Sequence, residues 1–399
     1  MRGGYDMSDT KRWGLIDINR LIPSAAIVLL FTSIHLTYLI PGSFTSAFYY
    51  VVIFILMIVM FGARDRLKIR MIFFWALGAT FLSLLNTIFV GNQNLIRTGI
   101  LFAAFFLAAL MLNESVDENA FAISVYINSI LVLIKVLQVG TRGAVYEQVS
   151  NNYVSILLLS PAVIYYAVCS ARNRKCIAIP AICCWGLSFL MGGRGGVLST
   201  SILLVGVVLH LFFKNEATRR DRVILGLILC AILIPALIVG FRSIFESDAD
   251  LYIINRFSKF GMEGGRRIDI WNEYFEGIGR SWKAFFLGVD QSTLYWAQPF
   301  GGNLHSSFLF VHAYLGIIGF IAFIGLLIRA AIKAIQSGKW LYFCALLTFA
   351  FRGTTDHVFG ANRITAIILA LILLPDFIEL FGPEGKIRAA SDIREVLKK

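Results

Sequence analysis

Long, continuous apolar runs separated by short polar segments dominate the pattern of this chain. The runs lie close to the roughly 20 residues that a helix needs to cross a bilayer, and they do not alternate as the strands of a membrane barrel do. We therefore predict an all-α protein, a polytopic membrane bundle of about 12 transmembrane helices. The predicted helices cover residues 21–40, 45–62, 71–90, 97–112, 120–139, 152–170, 177–191, 197–213, 223–243, 305–329, 339–356 and 362–381.

The polar segments between these runs predict the orientation of the bundle. Only 15% of the 399 residues are charged, against roughly 25% in soluble domains. The net charge of +12 comes from Lys and Arg in short loops, which argues against a nucleic-acid-binding surface. Every second loop is basic, as expected when both termini are cytoplasmic. The basic segments are residues 63–70, 172–175, 214–222, 329–339 and the C-terminal tail, whereas residues 113–119 form an acidic exception.

This topology divides the chain into five parts. Residues 1–20 form a cytoplasmic segment, residues 21–243 carry transmembrane helices 1–9, residues 244–304 form a long loop on the opposite face, residues 305–381 carry helices 10–12, and residues 382–399 form a cytoplasmic tail. Within the loop, one apolar stripe with helical spacing predicts a short amphipathic helix at the membrane surface. The stripe consists of Trp271, Tyr274, Phe275 and Ile278.

The candidate catalytic residue is His305, which stands where the polar loop gives way to the tenth apolar run. Histidine exchanges its proton near neutral pH and therefore suits general-base catalysis. The alternative is a histidine that merely occupies a polar interface. His312 lies seven residues further along roughly the same face, where a role in helix packing is as good an interpretation as a catalytic one.

Arginines expected on the same side of the membrane are candidates for binding an anionic donor. Arg194 lies among glycines at residues 192–196, which would let the backbone approach a ligand closely. Arg266 and Arg267 precede the amphipathic helix, and arginine forks match phosphate oxygens. The alternatives are an arginine that extends to lipid phosphates and a solvated pair.

Further polar residues receive lesser roles. Arg352, with Asp356, His357 and Arg363, lies near the outer end of the last two runs, and Arg352 and His357 are candidates for accessory roles. Asp248 and Asp250 form an Asp-x-Asp tripeptide, which is a weak signal for a metal, and we predict no metal site. The chain carries no nucleotide-binding loop. An outward-facing transferase would therefore need a donor made inside and moved across, such as a lipid-linked pyrophosphate.

These residues resemble the bacterial O-antigen ligase and O-antigen polymerase superfamily of membrane glycosyltransferases. His305 and Ser306, nine residues and then Gly316-x-x-Gly319 are similar to the ligase motif His-[Asn/Ser/Gln]-x9-Gly-x-x-Gly. The Thr or Val expected next is replaced by Phe320 and Ile321. Other similarities are Arg266 followed ten residues later by Gly277, the segment 265–271 ending at 287–289, and Arg194 with Gly195.

The resemblance implies an enzyme in the bacterial inner membrane whose active site faces the periplasm, so that the long loop is periplasmic. The donor would be a glycan on undecaprenyl pyrophosphate, with Arg194, Arg266 and Arg267 binding the pyrophosphate and His305 as the base. No cofactor or metal is implied. The acceptor would be a lipid-linked repeat unit or the lipid A core, and further partners would be membrane lipids, a chain-length regulator and a flippase.

Three functions remain open at this point. We favour a polymerase that extends O-antigen or another surface polysaccharide, because polymerases are the more numerous branch of the superfamily. The first alternative is a ligase that transfers the glycan to the lipid A core. The second is a transporter of the same lipid-linked sugar, although transporters tend to carry repeated halves and charges near the bilayer midplane.

Overall fold

The architecture was obtained from a computed structural model. It describes residues 18–40, 42–61, 66–91, 95–113, 115–140, 145–146, 150–191, 193–213, 267–360 and 362–379. Within these ranges every regular element is helical and no strand occurs, which confirms the all-α class.

Among the described residues, eight helices precede residue 214 and five follow residue 266. The first group is α1 (Ile18–Leu39), α2 (Ser43–Phe61), α3 (Arg66–Val90), α4 (Leu95–Met111), α5 (Glu118–Val139), α6 (Tyr153–Ala171), α7 (Ile179–Leu190) and α8 (Arg194–Phe213). The second is α9 (Arg267–Gly279), α10 (Trp282–Leu287), α11 (Ser307–Gln336), α12 (Trp340–Thr355) and α13 (Thr365–Glu379), with 3-10 turns at Gln291–Thr293 and Gln298–Phe300 between α10 and α11.

Each predicted apolar run within the described residues coincides with a helix. The run at residues 223–243 lies outside the described residues. Six of the described helices are long and apolar enough to cross a membrane: Arg20–Leu39, Ile72–Val90, Glu118–Val139, Tyr153–Ala171, Arg194–Phe213 and Ser307–Gln336. Shorter apolar helices cover Ser43–Leu56, Arg97–Met111, Ile179–Leu190 and Thr365–Phe377. Helix placement thus agrees with the sequence pattern, while the count of about 12 crossings stays a prediction.

Helix α6 is the centre of the bundle. Its whole apolar window is buried, and it packs against α5, α7, α8, α12 and α13. A helix that faces lipid can also be apolar all round, so the enclosure of α6 reflects its place among its neighbours. Its N-terminal end therefore lies deep among the ends of α8 and α12, where the candidate site forms.

The described part of the predicted long loop, residues 267–304, folds as a small cap on the bundle. Ile270 and Tyr274 of α9 are fully buried and pack with Val289, Leu294 and Leu304. The predicted helix is present, with Tyr274 of the stripe on the buried inner face and Phe275 57% exposed. Ile270 is buried in its place, because the cap rather than a flat membrane surface covers the inner face of α9.

A break at Gly316 divides α11 into residues 307–315 and 317–336. Gly316 has φ 64° and ψ −172°, and a Cβ there would overlap the backbone carbonyl of Phe286 in α10. Asn86 of α3 donates to the carbonyls of Leu287 and Ala313 and so links both sides of this contact. Gly316 and Gly319 therefore do not lie on one continuous helix, although their spacing of three residues predicts a shared helix face.

Candidate functional site

His305 occupies a strained turn two residues before α11. Its φ of 50° lies in the left-handed region, which non-glycine residues seldom adopt. The side-chain oxygen of Asn303 accepts a hydrogen bond from the backbone N–H of His305 (2.8 Å), and the Phe300 ring packs edge-on against the imidazole. Trp271 of α9 donates its indole N–H to the carbonyl of Leu304 (2.8 Å). The cap thus holds the histidine in a conformation that the chain would otherwise avoid.

The imidazole of His305 faces the carboxylate of Asp356, the residue that follows α12. His305 Nδ1 lies 3.9 Å from Asp356 Oδ1, and the two side chains are 20% and 5% exposed. Nδ1 is buried and has no hydrogen-bond partner in the described part of the chain. The separation is too long for a hydrogen bond, but it is close enough for the carboxylate to stabilise a positive charge on the ring.

Asp356 is held in turn by Arg352, one helical turn earlier. Arg352 is 1% exposed, and its Nη2 lies 3.2 Å from Asp356 Oδ2. The same guanidinium donates to the hydroxyls of Thr355 (2.8 Å) and Ser155 (3.4 Å) and to the carbonyl of Asn152 (3.3 Å). This arginine is therefore paired and hydrogen-bonded inside the bundle, as a buried charge requires.

Ser307 fixes the distance between the histidine and the carboxylate. Its hydroxyl donates to the carbonyl of Asp356 (2.8 Å) and accepts from the backbone N–H groups of Val358 (2.7 Å) and Phe359 (3.0 Å). One buried side chain thus joins the start of α11 to the loop between α12 and α13. His305 and Asp356 are brought together by this junction.

The surroundings favour a neutral imidazole beside a charged carboxylate. Burial lowers the pKa of His305, and the nearby charge of Arg267 lowers it further, while Asp356 acts in the opposite direction. Burial acts to raise the pKa of Asp356, but Arg352, His305 and Arg267 outweigh it and hold that pKa below its usual value. At neutral pH the pair is therefore ready to accept a proton at His305.

Of the predicted donor-binding arginines, Arg267 lies near this pair, and the backbone next to Arg194 lies near Arg352. Arg267, the first residue of α9, is half-buried and close enough to affect the pKa of both His305 and Asp356. Arg194, also half-buried, begins α8. Arg266 lies outside the described residues.

The glycines around Arg194 permit close helix packing. A Cβ at Gly195 would lie 2.8 Å from the Thr355 hydroxyl, and one at Gly196 would lie 2.5 Å from the Ser155 hydroxyl. The start of α8 therefore rests directly on α6 and α12, beside Arg352. The glycines allow α8 to approach the neighbouring helices closely. The backbone at Arg194 therefore lies beside the Arg352–Asp356 pair.

The two accessory histidines are held by their own contacts. His357 donates from Nε2 to the carbonyl of Gly360 (3.0 Å) and stacks on Phe310 at 3.6 Å between ring centroids. Burial lowers the pKa of His357 to about 4. His312 meets the Tyr274 hydroxyl with Nδ1 (2.7 Å) and the Phe285 carbonyl with Nε2 (3.0 Å). Both arrangements favour packing roles over proton transfer.

The sequence analysis did not identify Ser307 as part of the site, and it did not predict that Asp356 faces His305. An acidic residue beside an apolar run was a signal for Asp356, because charges in such surroundings need partners. Asp248 and Asp250 lie outside the described residues. Within the described ranges, no group of three or more His, Cys, Asp or Glu side chains could hold a metal.

Comparison with known protein families gave no matching family, and comparison with curated proteins gave no match.

Proposed function

We propose that this chain is a membrane glycosyltransferase that uses a glycan donor linked to undecaprenyl pyrophosphate, and that it polymerises O-antigen or another surface polysaccharide. The observation that carries the proposal is His305, a buried, neutral histidine beside a charged carboxylate at the start of an apolar helix. The half-buried Arg267 adds positive charge near His305, and Arg194 begins a helix that packs beside Arg352, which suits an anionic leaving group. The resemblance to the ligase and polymerase superfamily supplies the substrate class.

In the proposed reaction, His305 removes the proton from an acceptor sugar hydroxyl as that oxygen attacks the anomeric carbon. The bond between this carbon and the pyrophosphate oxygen breaks, and the pyrophosphate leaves with the electron pair, so that the carbon is inverted. Arg194, Arg266 and Arg267 offset the charge that develops on the leaving group. Asp356 stabilises the imidazolium that forms. A positioned base contributes about 10²- to 10⁴-fold in rate, and this mechanism needs no metal.

The proposal includes the full predicted topology. About twelve spans would place both termini in the cytoplasm, and residues 244–304 in the periplasm above the inner membrane. The helices found at the predicted positions support the span count. The cap carries exposed aromatic side chains at Phe275, Trp282 and Tyr295, a residue type that favours the membrane interface. A flippase and a chain-length regulator would then act as partners.

The test is complementation of a strain that lacks this protein. Polysaccharide profiles would be compared for wild type, His305→Ala, Arg194→Ala and the control His210→Ala, whose histidine lies in the last turn of α8, far along the helix from Arg194. The membrane level of each protein is measured in parallel.

For a polymerase, the His305 and Arg194 variants leave lipid A core with a single repeat unit, while the control makes full-length polymer. Bare core with accumulated long lipid-linked chains would instead identify a ligase. Full-length polymer from both variants would remove the catalytic assignment, and loss of transport of the lipid-linked sugar would favour a transporter.

A further inference from the structure

A groove between α2, α4 and α13 lies apart from the His305 pair. Its volume is about 510 Å³, which is in the range of small-molecule clefts. Its walls are almost wholly apolar and include Ile53, Ala103, Leu107 and Ala366. Helices of the bundle form these walls, so the groove suits a hydrocarbon chain.

One wall of the groove carries a positive charge without a matching acid. Arg363 lines the groove, and its guanidinium lies 5.1 Å from the ring centroid of Tyr49 and 5.9 Å from that of Tyr38. No carboxylate of the described residues forms an ion pair with Arg363. Tyrosine faces attract a cation only weakly, whereas an arginine among apolar helices is costly unless an anion accompanies it.

Arg97 of α4 is close in sequence to the groove residues Gly99 and Ile100 but does not line the groove. It lies three residues before Ile100, another groove residue, so both occupy the same face of α4. Its guanidinium lies over the ring of Tyr314, 5.0 Å from the centroid, and it likewise makes no ion pair with a described carboxylate. Arg363, held by tyrosine faces in the wall of an apolar groove, complements a lipid that carries a phosphate.

A short loop connects this groove to the proposed catalytic pair. Asp356, which faces His305, and Arg363, which lines the groove, both belong to the segment between α12 and α13. Asn362 donates to the carbonyl of Val358 (3.0 Å) and so braces the segment. A phosphate bound at Arg363 would therefore lie at the same rim of the bundle as the reacting groups.

We propose that this groove binds the chain of a polyprenyl phosphate, with Arg363 binding the phosphate. The choice of occupant rests on the proposed function. A polymerase acts on two lipid-linked substrates, and this groove provides a carrier site in addition to the one at Arg194 and Arg267. A ligase would need only one polyprenyl carrier, so a second such site favours the polymerase.

Gly99 offers a substitution that fills the groove without disturbing the bundle. It lines the groove, and a Cβ at this position meets no atom within 4 Å. Gly99→Leu would therefore place a side chain in the space of the lipid. Gly78 of α3 is exposed and equally open, so Gly78→Leu is the matched control. Arg363→Gln removes the charge and retains a polar side chain.

The experiment measures binding of undecaprenyl phosphate to purified full-length protein by native mass spectrometry. Wild type and Gly78→Leu are expected to bind one molecule more than Gly99→Leu. Arg363→Gln is expected to bind the extra molecule about tenfold more weakly, because a charge-assisted contact is lost. Undecaprenol, which lacks the phosphate, and phosphatidylglycerol, which carries two acyl chains, are the comparison lipids.

Equal occupancy in all four proteins, or no bound undecaprenyl phosphate in wild type, would overturn the site. If undecaprenol binds as tightly as undecaprenyl phosphate, the role of Arg363 in binding the phosphate is overturned. If phosphatidylglycerol competes equally, the choice of occupant is overturned. His305→Ala should bind the lipid as wild type does. Loss of the lipid site and loss of the proposed catalysis are therefore separate results.

Discussion

Asp356→Asn and Arg267→Gln should move the acid limb of the pH–rate profile in opposite directions. The proposed base works only when His305 is neutral, so the acid limb follows the pKa of this histidine. Asp356 raises that pKa and Arg267 lowers it. Removing the carboxylate therefore shifts the limb to lower pH, and removing the guanidinium shifts it to higher pH.

The distance in the structure sets the size of the effect on rate. Two unit charges 3.9 Å apart interact by about 1 kcal/mol in water and about 4 kcal/mol at an effective dielectric of about 20. The pair is mostly buried, so its interaction lies between these limits. Because about 1.4 kcal/mol corresponds to a tenfold change in rate, loss of Asp356 should lower kcat by about fivefold to 700-fold through the imidazolium that it no longer stabilises.

The assay is polymer formation by purified protein from a synthetic lipid-linked repeat unit, followed across the acid limb. Asn at position 356 keeps an acceptor for the backbone N–H of His357, which bonds to Asp356 Oδ1 at 2.9 Å. Arg352 loses its ion pair but keeps its contacts with Thr355, Ser155 and Asn152, and thermal unfolding in detergent checks that the fold survives. Shifts of the same sign in the two variants, or an unmoved limb, would refute the base assignment.

Three further substitutions test the framework around the pair. Gly316→Ala should cost about 2–4 kcal/mol of stability, because this position has a positive φ and a Cβ there overlaps α10. Gly325→Ala should not lower stability in this way, because open space surrounds that glycine. Thermal unfolding measures the difference. Ser307→Ala leaves buried backbone groups unpaired and should cost about 2–3 kcal/mol of stability. Equal stability of wild type and variant would contradict the junction. Tyr274→Phe should cost about 1–2 kcal/mol while leaving the polymer profile intact, and a lost polymer with unchanged stability would give His312 a catalytic role.

The apolar runs predicted the positions of the helices because a helix that crosses a membrane needs about 20 consecutive apolar residues. Helix α6, Tyr153–Ala171, lies within a residue of the run at 152–170. The break in α11 escaped this reasoning. Both halves of α11 are apolar, and only the contact of Gly316 with the backbone of α10 requires the break. That contact joins segments whose proximity is a property of the fold and not of local periodicity.

Residue type identified His305 as a candidate base, but its partner depended on tertiary structure. His305 precedes α11 and Asp356 follows α12, and the junction at Ser307 that joins them leaves no local pattern in the sequence. For the glycines near Arg194, the sequence showed the residues but not the surface that they contact. Their small size was evident from the sequence, but the surface they approach, formed by Ser155 and Thr355, was not.

The length of α11 accounts for the break at Gly316. At about 1.5 Å per residue, a straight helix of 30 residues would be about 45 Å long, against a hydrocarbon layer of about 30 Å. The part after Gly316 alone spans about 30 Å. Helix α12, with 16 residues, is only about 24 Å long, so its terminal Asp356 cannot extend far beyond the layer. A straight α11 would carry His305 away from this carboxylate, and the turn at Gly316 keeps the two residues at one rim.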